Sequence, residues 1–262
     1  MIFRDYGTYG EPCNIGDLIV EEGARNLARK AGLDLDRPDI LFVIGTPWLW
    51  NLCWESDKYM KLRYEAGRFK RKVAIGIGSC FEWGGAEPDL SIGAEMVVSF
   101  WKGFELVVCR DLTAQSIVPE SHCLPCPSIW YFDQAPVRPF RDILQIGCDG
   151  WHPEYIKNRP WVSQARDYWA YHESVQNSKE DIDTHLSFIL SHRRIISQRI
   201  HALLPACPFV ETKCVPADSR ALSCIRAGIG IWPEEAFGRP QEIRPKRDGE
   251  WTESYLALLK NL

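Results

Sequence analysis

Short, unbroken runs of apolar residues recur along this chain, each followed by glycine or a charged residue. The clearest are residues 39–45, 72–78 and 106–109. Strands that are apolar at every position are buried on both faces, as in parallel sheets covered by helices. The segments between them have helical periodicity, for example residues 18–28. This alternation predicts an α/β protein with parallel sheets.

A proline-rich stretch without clear periodicity, residues 119–139, divides the chain, and the strand–helix pattern resumes at Ile143. A chain of 262 residues has room for two small α/β domains. We therefore expect two Rossmann-like lobes around a cleft, residues 1–137 and 138–262. An amphipathic helix is expected at residues 251–262, and two arrangements are open for it: it packs on the second lobe or packs back on the first lobe.

Composition and charge argue against several classes of protein. The net charge of -4 disfavours general nucleic-acid binding. No run approaches the ~20 apolar residues of a membrane span, and the N-terminus lacks the layout of a signal peptide. We therefore expect a cytoplasmic protein whose ten cysteines are reduced. The single pair Cys123 and Cys126 does not predict a zinc site, and Phe81 stands where a dinucleotide fingerprint beginning at Gly76 requires glycine.

Two arginines follow predicted strands directly. Arg110 comes after residues 106–109, and Arg199 follows a strand ending near Ile196 and opens a short helix that contains His201. In parallel α/β sheets such positions lie at the carboxyl edge, where ligands bind. Arginine pairs bidentately with phosphate or carboxylate, and histidine titrates near neutral pH. We predict that Arg110 and Arg199, from separate lobes, face each other across a small dianion; the alternative is that Arg110 pairs with Asp111 or a neighbouring carboxylate.

Four further residues have both a functional and a structural interpretation. Asn14 and Asp17 either cap the first helix or face the cleft. Trp48 follows a predicted strand and either stacks on a sugar ring or belongs to the core. Arg220 either contacts a ligand or belongs to the start of the helix at residues 221–227.

Four motifs in the same order resemble those of the polysaccharide pyruvyl transferase family. They are Asn14-Ile-Gly-Asp17, Cys109-Arg110-Asp111, Ser197-x-Arg199-Ile-His201-Ala202 and Asp218-Ser-Arg220. The chain departs from the family in having one glycine, Gly45, where the family has a glycine-rich loop, and in having Arg220 where the family often has lysine.

The resemblance implies a fold similar to GT-B glycosyltransferases and a role in exopolysaccharide biosynthesis. The implied reaction moves pyruvate from phosphoenolpyruvate onto two hydroxyls of a sugar and forms a ketal. The acceptor would be a free sugar or a lipid- or nucleotide-linked saccharide, and the reaction needs neither cofactor nor metal. No nucleic acid and no membrane span are implied, and oligomerisation is left open. The implied catalytic residues are His201 and Asp17, and the implied substrate-binding residues are Arg110, Arg199, Asn14, Arg220 and Trp48.

Two alternatives remain open from the sequence. One is a GT-B-type glycosyltransferase that uses a nucleotide sugar, in which the arginines would bind a diphosphate. The other is a non-catalytic relative that only binds a glycan. Ligand-binding measurements separate them, because the first requires nucleotide-sugar binding and the second requires glycan binding without turnover.

Overall fold

The computed structural model describes residues 1–4, 15–51, 53–81, 94–146, 162–165, 179–216, 218–231 and 249–262. Within these residues the chain forms two separate parallel sheets flanked by helices. The predicted α/β class with two Rossmann-like lobes, a GT-B-like arrangement, is therefore confirmed.

The first sheet contains six parallel strands. They are β1 (Ile2–Phe3), β2 (Ile40–Ile44), β3 (Pro47–Leu49), β4 (Arg71–Ser79), β5 (Leu106–Cys109) and β6 (His122–Cys123). Their order is β1-β2-β4-β5-β6, and β3 pairs with the end of β4. Strands β2, β4 and β5 coincide with the three apolar runs in the sequence. They are buried along most of their length, because helices cover both faces of the sheet.

The described residues of the first lobe form four α-helices: α1 (Ile15–Ala31), α2 (Asp57–Gly67), α3 (Ala94–Lys102) and α4 (Leu112–Ile117). Short 3-10 helices form at Cys53–Glu55 and Pro127–Trp130. Helix α1 ends where Gly32 adopts a positive φ of 75°, a conformation that favours glycine after a helix. Most of α1 is buried, because the second lobe and the C-terminal helix pack on it.

The second sheet contains β7 (Arg141–Ile146), β8 (Val162–Ala165), β9 (His192–Ser197), β10 (Glu211–Cys214) and β11 (Gly230–Ile231). The described helices in this half of the chain are α5 (Lys179–Leu190), α6 (Ile200–Leu203), α7 (Ala221–Arg226) and α8 (Gly249–Lys260). The strand order is β11-β10-β9-β7-β8. The chain therefore builds outward from β7 in both directions, and the carboxyl ends of β7 and β9 flank the topological switch point where open α/β sheets bind ligands.

One predicted element is wrong in part. The sequence of residues 161–178, which contains several aromatic residues, predicts a helix, but residues 162–165 form strand β8, which pairs in parallel with β7. Pairing with β7 satisfies backbone hydrogen-bonding groups of both strands, and this long-range interaction is invisible in the local pattern of side chains. The rest of that segment lies outside the described residues.

Helix α8 follows the second sheet in sequence but packs on the first lobe. The Tyr255 hydroxyl donates a hydrogen bond to the carbonyl of Pro125 at 2.8 Å. The indole N–H of Trp130 donates to the Thr252 hydroxyl at 3.0 Å. Tyr255 and Leu259 are buried, so α8 seals α1 and the 3-10 helix Pro127–Trp130 from solvent.

Candidate active site

The two lobes meet at the carboxyl edge of the first sheet through a pair of serines. The hydroxyl oxygens of Ser79, at the end of β4, and Ser219 lie 2.9 Å apart. The Phe81 amide donates to the Ser219 hydroxyl, and the Ser219 amide donates to the Phe81 carbonyl, each at 2.8 Å. All these atoms are buried or lie in backbone, so they fix the relative position of the lobes at this point.

Asp111 is held on the same edge by three donors. Its carboxylate accepts hydrogen bonds from the Ala114 amide at 2.8 Å, the Ser79 amide at 3.0 Å and the Ser79 hydroxyl at 2.9 Å. Asp111 is therefore the N-cap of α4. Burial raises the pKa of Asp111, while these hydrogen bonds and Arg110 act in the opposite direction. No salt bridge to Arg110 occurs among the described residues, so the simple pairing of Arg110 with Asp111 is not found.

The guanidinium of Arg110 lies at the centre of the interface between the lobes. The residue is fully buried, and one terminal nitrogen lies 3.3 Å from Nε2 of His201. Its Nε and its other terminal nitrogen have no hydrogen-bond partner among the described residues. The side chain crosses the backbone of Gly78, where an added Cβ would lie 2.3 Å from the Arg110 Nε. A buried cation with unpaired donors is costly, and an oxyanion would satisfy both donors.

His201 is held between Arg110 and α1. An added Cβ on Gly16 would lie 2.1 Å from the ring Nδ1, so glycine is needed at this position for the close approach. A guanidinium only donates hydrogen bonds, so Nε2 accepts and the ring proton resides on Nδ1. Burial, and then the charges of Arg110 and Arg220, lower the pKa of His201 well below its usual value. The imidazole is therefore neutral near pH 7.

Asp17 lies in the first turn of α1, one residue after Gly16, and is almost fully buried. Burial raises its pKa, while the nearby charges of Lys58 and Arg110 act in the opposite direction. Its Oδ1 has no hydrogen-bond partner within the described part of the chain. The site therefore contains a carboxyl group biased towards the protonated form and an imidazole biased towards the neutral form. Two groups whose pKa values are shifted in this way are suited to serve as an acid and a base.

Thr46 supplies the wall of the site next to Asp17. It is fully buried and has a positive φ of 66°. A β-branched residue in this conformation is strained, and such strain is concentrated at functional sites. Gly45 has a φ of 65°, so two consecutive left-handed residues turn the chain sharply after β2.

Arg220 reaches the cleft from the second lobe. Its Nε donates to both carboxylate oxygens of Asp218, at 2.8 and 2.9 Å. The charge of Arg220 contributes to lowering the pKa of His201, and the charge of Asp17 helps to raise that of Arg220. Arg220 is therefore a second cation of this cluster, although Asp218 already neutralises part of its charge.

Arg199 does not join this cluster. Its side chain is exposed, and no hydrogen bond or salt bridge links it to Arg110 within the described residues, so the predicted facing pair of arginines is not formed. Arg199 and His201 are two residues apart, about 200° around a helix, and His201 takes the inward position. The Arg199 amide donates a hydrogen bond to the Ser197 hydroxyl at 2.8 Å, and this hydroxyl donates to the Ile146 carbonyl at 2.9 Å. Arg199 therefore stands at the switch point between β7 and β9.

Trp48 is a core residue, and the prediction that it stacks on a sugar is wrong. It is 1% exposed, with its ring centroid 5.8 Å from that of Phe3 and 6.0 Å from that of Tyr59. The Lys58 ammonium lies 4.8 Å from the ring centroid. Both faces are covered, so no surface remains for a sugar ring. Asn14 lies outside the described residues.

Sequence reasoning missed several members of the site. Gly16 has only the sequence signal of a turn residue, whereas the structure shows that it allows His201 to approach. Lys58 lies in a helix of mixed charge and has no sequence signal of its own. Ser79 belongs to no motif, and Ser219 is only the middle residue of the motif Asp218-Ser-Arg220, because the roles of both serines depend on contact between the lobes. No group of three or more potential metal ligands occurs in the described ranges, and none of the helices there is long and apolar enough to span a membrane.

No family model and no curated protein matches the sequence. Among solved structures, a functionally uncharacterised protein from Klebsiella pneumoniae subsp. pneumoniae is similar with a TM-score of 0.52 and 13% identity, over 79% of this chain and 81% of that chain. A protein proposed to be a UDP-N-acetylglucosamine 2-epimerase from Listeria monocytogenes has a TM-score of 0.48 and 11% identity, over 95% and 79%. The spinosyn rhamnosyltransferase SpnG, complexed with thymidine diphosphate, has a TM-score of 0.39 and 12% identity, over 98% and 81%. At these identities the likeness concerns the fold alone.

Replacing Gly16 with alanine tests the contact between α1 and His201. The new methyl group must displace a ring that is confined by Arg110 and the helix backbone, so we expect a loss of about 1–3 kcal/mol in the free energy of unfolding. Gly67→Ala is the matched control, because an added Cβ on this helical glycine meets nothing within 4 Å; it should be neutral or stabilise by up to about 1 kcal/mol. Denaturant unfolding measures both. Equal effects of the two substitutions would contradict the close packing of His201.

Proposed function

We propose that the protein transfers pyruvate from phosphoenolpyruvate to two hydroxyls of a sugar. The observation that carries this proposal is the buried guanidinium of Arg110, two of whose nitrogens have no hydrogen-bond partner in the described part of the chain. This guanidinium lies beside His201 and within electrostatic range of Asp17. Phosphoenolpyruvate carries a phosphate and a carboxylate, both of which suit the fork of donors on a guanidinium. The resemblance of the motifs around Asp17, Arg110 and His201 supports the same reaction.

The perturbed groups fit the proton transfers that the reaction needs. One sugar hydroxyl adds to C2 of phosphoenolpyruvate and loses its proton, while C3 gains a proton and becomes a methyl group. Phosphate then leaves C2 and takes up the proton that the base accepted from the first hydroxyl. The second hydroxyl bonds to C2, its proton returns to the acid that protonated C3, and the ketal and hydrogen phosphate are complete. We assign Asp17, whose pKa is raised, as the acid that protonates C3. We assign neutral His201 as the base that accepts a hydroxyl proton.

Binding of the donor would prepare His201 for this role. In the structure, Arg110 donates towards Nε2, and its charge opposes protonation of the ring. An anion that pairs with Arg110 would offset this charge and compete for its donors, which frees Nε2 and raises the pKa of His201. Lys58 and Arg220, which influence Asp17 and His201 electrostatically, would hold the remaining negative charge of the donor.

Calorimetric titration of the full chain with phosphoenolpyruvate tests the proposal. We expect saturable binding, competition by inorganic phosphate, and release of phosphate only when a sugar acceptor is added. UDP-sugars and dTDP-sugars are titrated in parallel. Saturable binding of a nucleotide sugar together with no heat from phosphoenolpyruvate would contradict the proposal.

A nucleotide-sugar glycosyltransferase is the second candidate, and one observation favours it. The exposed Arg199 stands at the carboxyl edge of the second sheet, beside the switch point that Ser197 bridges. This is the position at which doubly wound folds bind nucleotides. If this candidate is correct, Arg199→Ala should weaken nucleotide-sugar binding, and a substitution of Arg110 should weaken it less.

A further inference from the structure

Thr46 holds a backbone conformation that its own side chain disfavours. Among the described residues it is the one residue other than glycine with a positive φ, 66°, and a β-branched residue in this region is an outlier. Glycine would adopt the same conformation without strain, as Gly45 does at a φ of 65°. Because strain of this kind is concentrated at functional sites, the retained threonine side chain is a candidate for a role in the cleft.

The turn that contains Thr46 is packed between α1 and β4. An added Cβ on Gly45 would lie 2.9 Å from Cγ1 of Val20, and Val20 follows Asp17 by one turn on the same side of α1. On the other side of the turn, the Gly78 amide donates to the Thr46 carbonyl at 3.1 Å. Thr46 is fully buried, so this packing fixes its side chain next to α1.

The side chains of Thr46 and Asp17 have polar atoms that are left without partners. Thr46 Oγ1 and Asp17 Oδ1 are buried and make no hydrogen bond within the described ranges. Burial has the largest influence on the pKa of Asp17 and raises it, whereas two nearby cations and then the hydroxyl and amide of Thr46 act in the opposite direction. The two residues are therefore neighbours whose side chains are not aligned for a hydrogen bond with each other, and a polar group of a ligand would satisfy both.

One edge of the Arg110 guanidinium adds two more atoms of the same kind. Nε and Nη2 have no hydrogen-bond partner in the described part of the chain, whereas Nη1 lies 3.3 Å from Nε2 of His201. Nε and Nη2 share one edge of the guanidinium, and their fork matches the two oxygens of a carboxylate. The guanidinium crosses Gly78, whose amide binds the Thr46 carbonyl. The free edge of the arginine and the Thr46 turn therefore meet at one glycine.

We propose that Thr46 is a specificity-determining residue, whose hydroxyl donates a hydrogen bond to the carboxylate of the donor substrate while Nε and Nη2 of Arg110 bind the same carboxylate. This inference rests on the proposed transfer of pyruvate. A planar carboxylate fits a single guanidinium edge, and Lys58 and Arg220 remain for the phosphate. In phosphoenolpyruvate the carboxylate is bonded to C2, which also carries C3. A carboxylate bound at Thr46 therefore brings C3 towards Asp17, the acid assigned to it.

Calorimetric titration of the full chain with phosphoenolpyruvate, pyruvate and inorganic phosphate tests this contact. Thr46→Val removes the hydroxyl and keeps the shape of the side chain. We expect the affinity for phosphoenolpyruvate and for pyruvate to fall about 10-fold to 100-fold, the usual loss for a hydrogen bond to a charged group. The affinity for inorganic phosphate should stay unchanged, because the phosphate group is held elsewhere. Thr46→Ser keeps the hydroxyl and should bind all three ligands as the wild type does.

Thr212→Val is the matched control. Thr212 is also a buried threonine whose hydroxyl has no partner among the described residues, but it lies in β10 of the second sheet. This variant should bind all three ligands normally. Both valine variants should keep or raise the melting temperature, because an apolar group of the same shape replaces a buried hydroxyl that lacks a partner.

Several outcomes would overturn the inference and leave the proposed reaction standing. They are undiminished binding of phosphoenolpyruvate and pyruvate by Thr46→Val, an equal loss in Thr46→Ser or Thr212→Val, and an equal loss for inorganic phosphate. A wild type that binds pyruvate but not phosphoenolpyruvate, with the loss in Thr46→Val retained, would support the carboxylate contact and contradict the reaction. A wild type that binds neither compound would overturn both.

Discussion

Replacing Arg110 with methionine should weaken the binding of phosphoenolpyruvate by about 30-fold or more and leave the melting temperature unchanged or higher. Removing a charged partner of a buried ion pair weakens binding by about 2–5 kcal/mol, so affinity should fall by about 30-fold to several thousand-fold. The Arg110 guanidinium is fully buried, and two of its nitrogens have no hydrogen-bond partner among the residues that the structure describes. An apolar side chain of similar length relieves this unfavourable burial. Calorimetric titration and thermal denaturation of the same variant measure the two effects.

Arg71→Met is the matched control for Arg110→Met. Arg71 begins β4, at the opposite end of the first sheet, and its guanidinium pairs with Glu105 at 3.0 Å on the surface. Loss of this exposed pair should cost at most about 1 kcal/mol of stability and leave ligand binding intact. A result in which Arg110→Met unfolds the protein or binds phosphoenolpyruvate normally would show that Arg110 has a structural role and does not hold the donor.

The fold was largely predictable because its main signals are local. Strands β2, β4 and β5 are uniformly apolar, and this pattern directly reports burial on both faces. Strand β8 was not predictable, because its pairing with β7 joins segments about 20 residues apart and its sequence resembles neither a buried strand nor an alternating one. The local sequence at residues 162–165 does not indicate that this segment pairs with β7.

The site was predictable in its location but not in its contacts. The positions after strands identify the cleft edge, and Asp17, Arg110 and His201 do lie at the interface between the lobes. The choice between Arg199 and His201 as the inward residue depends on the rotation of a single helical turn, which the sequence does not specify. Likewise, an aromatic residue after a strand lies either in a cleft or in a core; the neighbours Phe3 and Tyr59 place Trp48 in the core.

Asp17→Asn should lower turnover by about 10²–10⁴-fold, the usual contribution of a general acid, while donor binding changes little. Asparagine has nearly the same shape as aspartic acid, but it has no acidic proton to transfer to C3. Phosphate release in the presence of an acceptor measures turnover, and calorimetry measures donor affinity. Normal turnover of this variant would remove Asp17 from the mechanism.

The same substitution should also raise stability at neutral pH. Burial raises the pKa of Asp17 in the folded protein above its ordinary value of 3.8, so the folded state loses its proton at higher pH than the unfolded state. The wild type therefore loses stability as pH rises from about 3.8 through the folded pKa, and the full penalty persists above it. Asparagine does not ionise, so the advantage of the variant should grow across this window and then stay constant.

Asp36→Asn is the control, because its effect on stability should be opposite in sign to that of Asp17→Asn. Its hydrogen bonds with Arg25 lower the pKa of Asp36, so this carboxylate stabilises the fold above pH 3.8 and loses that contribution as pH falls through its folded pKa. Asp36→Asn should therefore be slightly less stable than the wild type at pH 7, because the pair is largely exposed. Urea unfolding of the wild type and both variants from pH 3 to pH 8 compares the three curves. If Asp17→Asn instead loses stability as pH rises, Asp17 is bound as a charged carboxylate in the folded protein, and another group must supply the proton to C3.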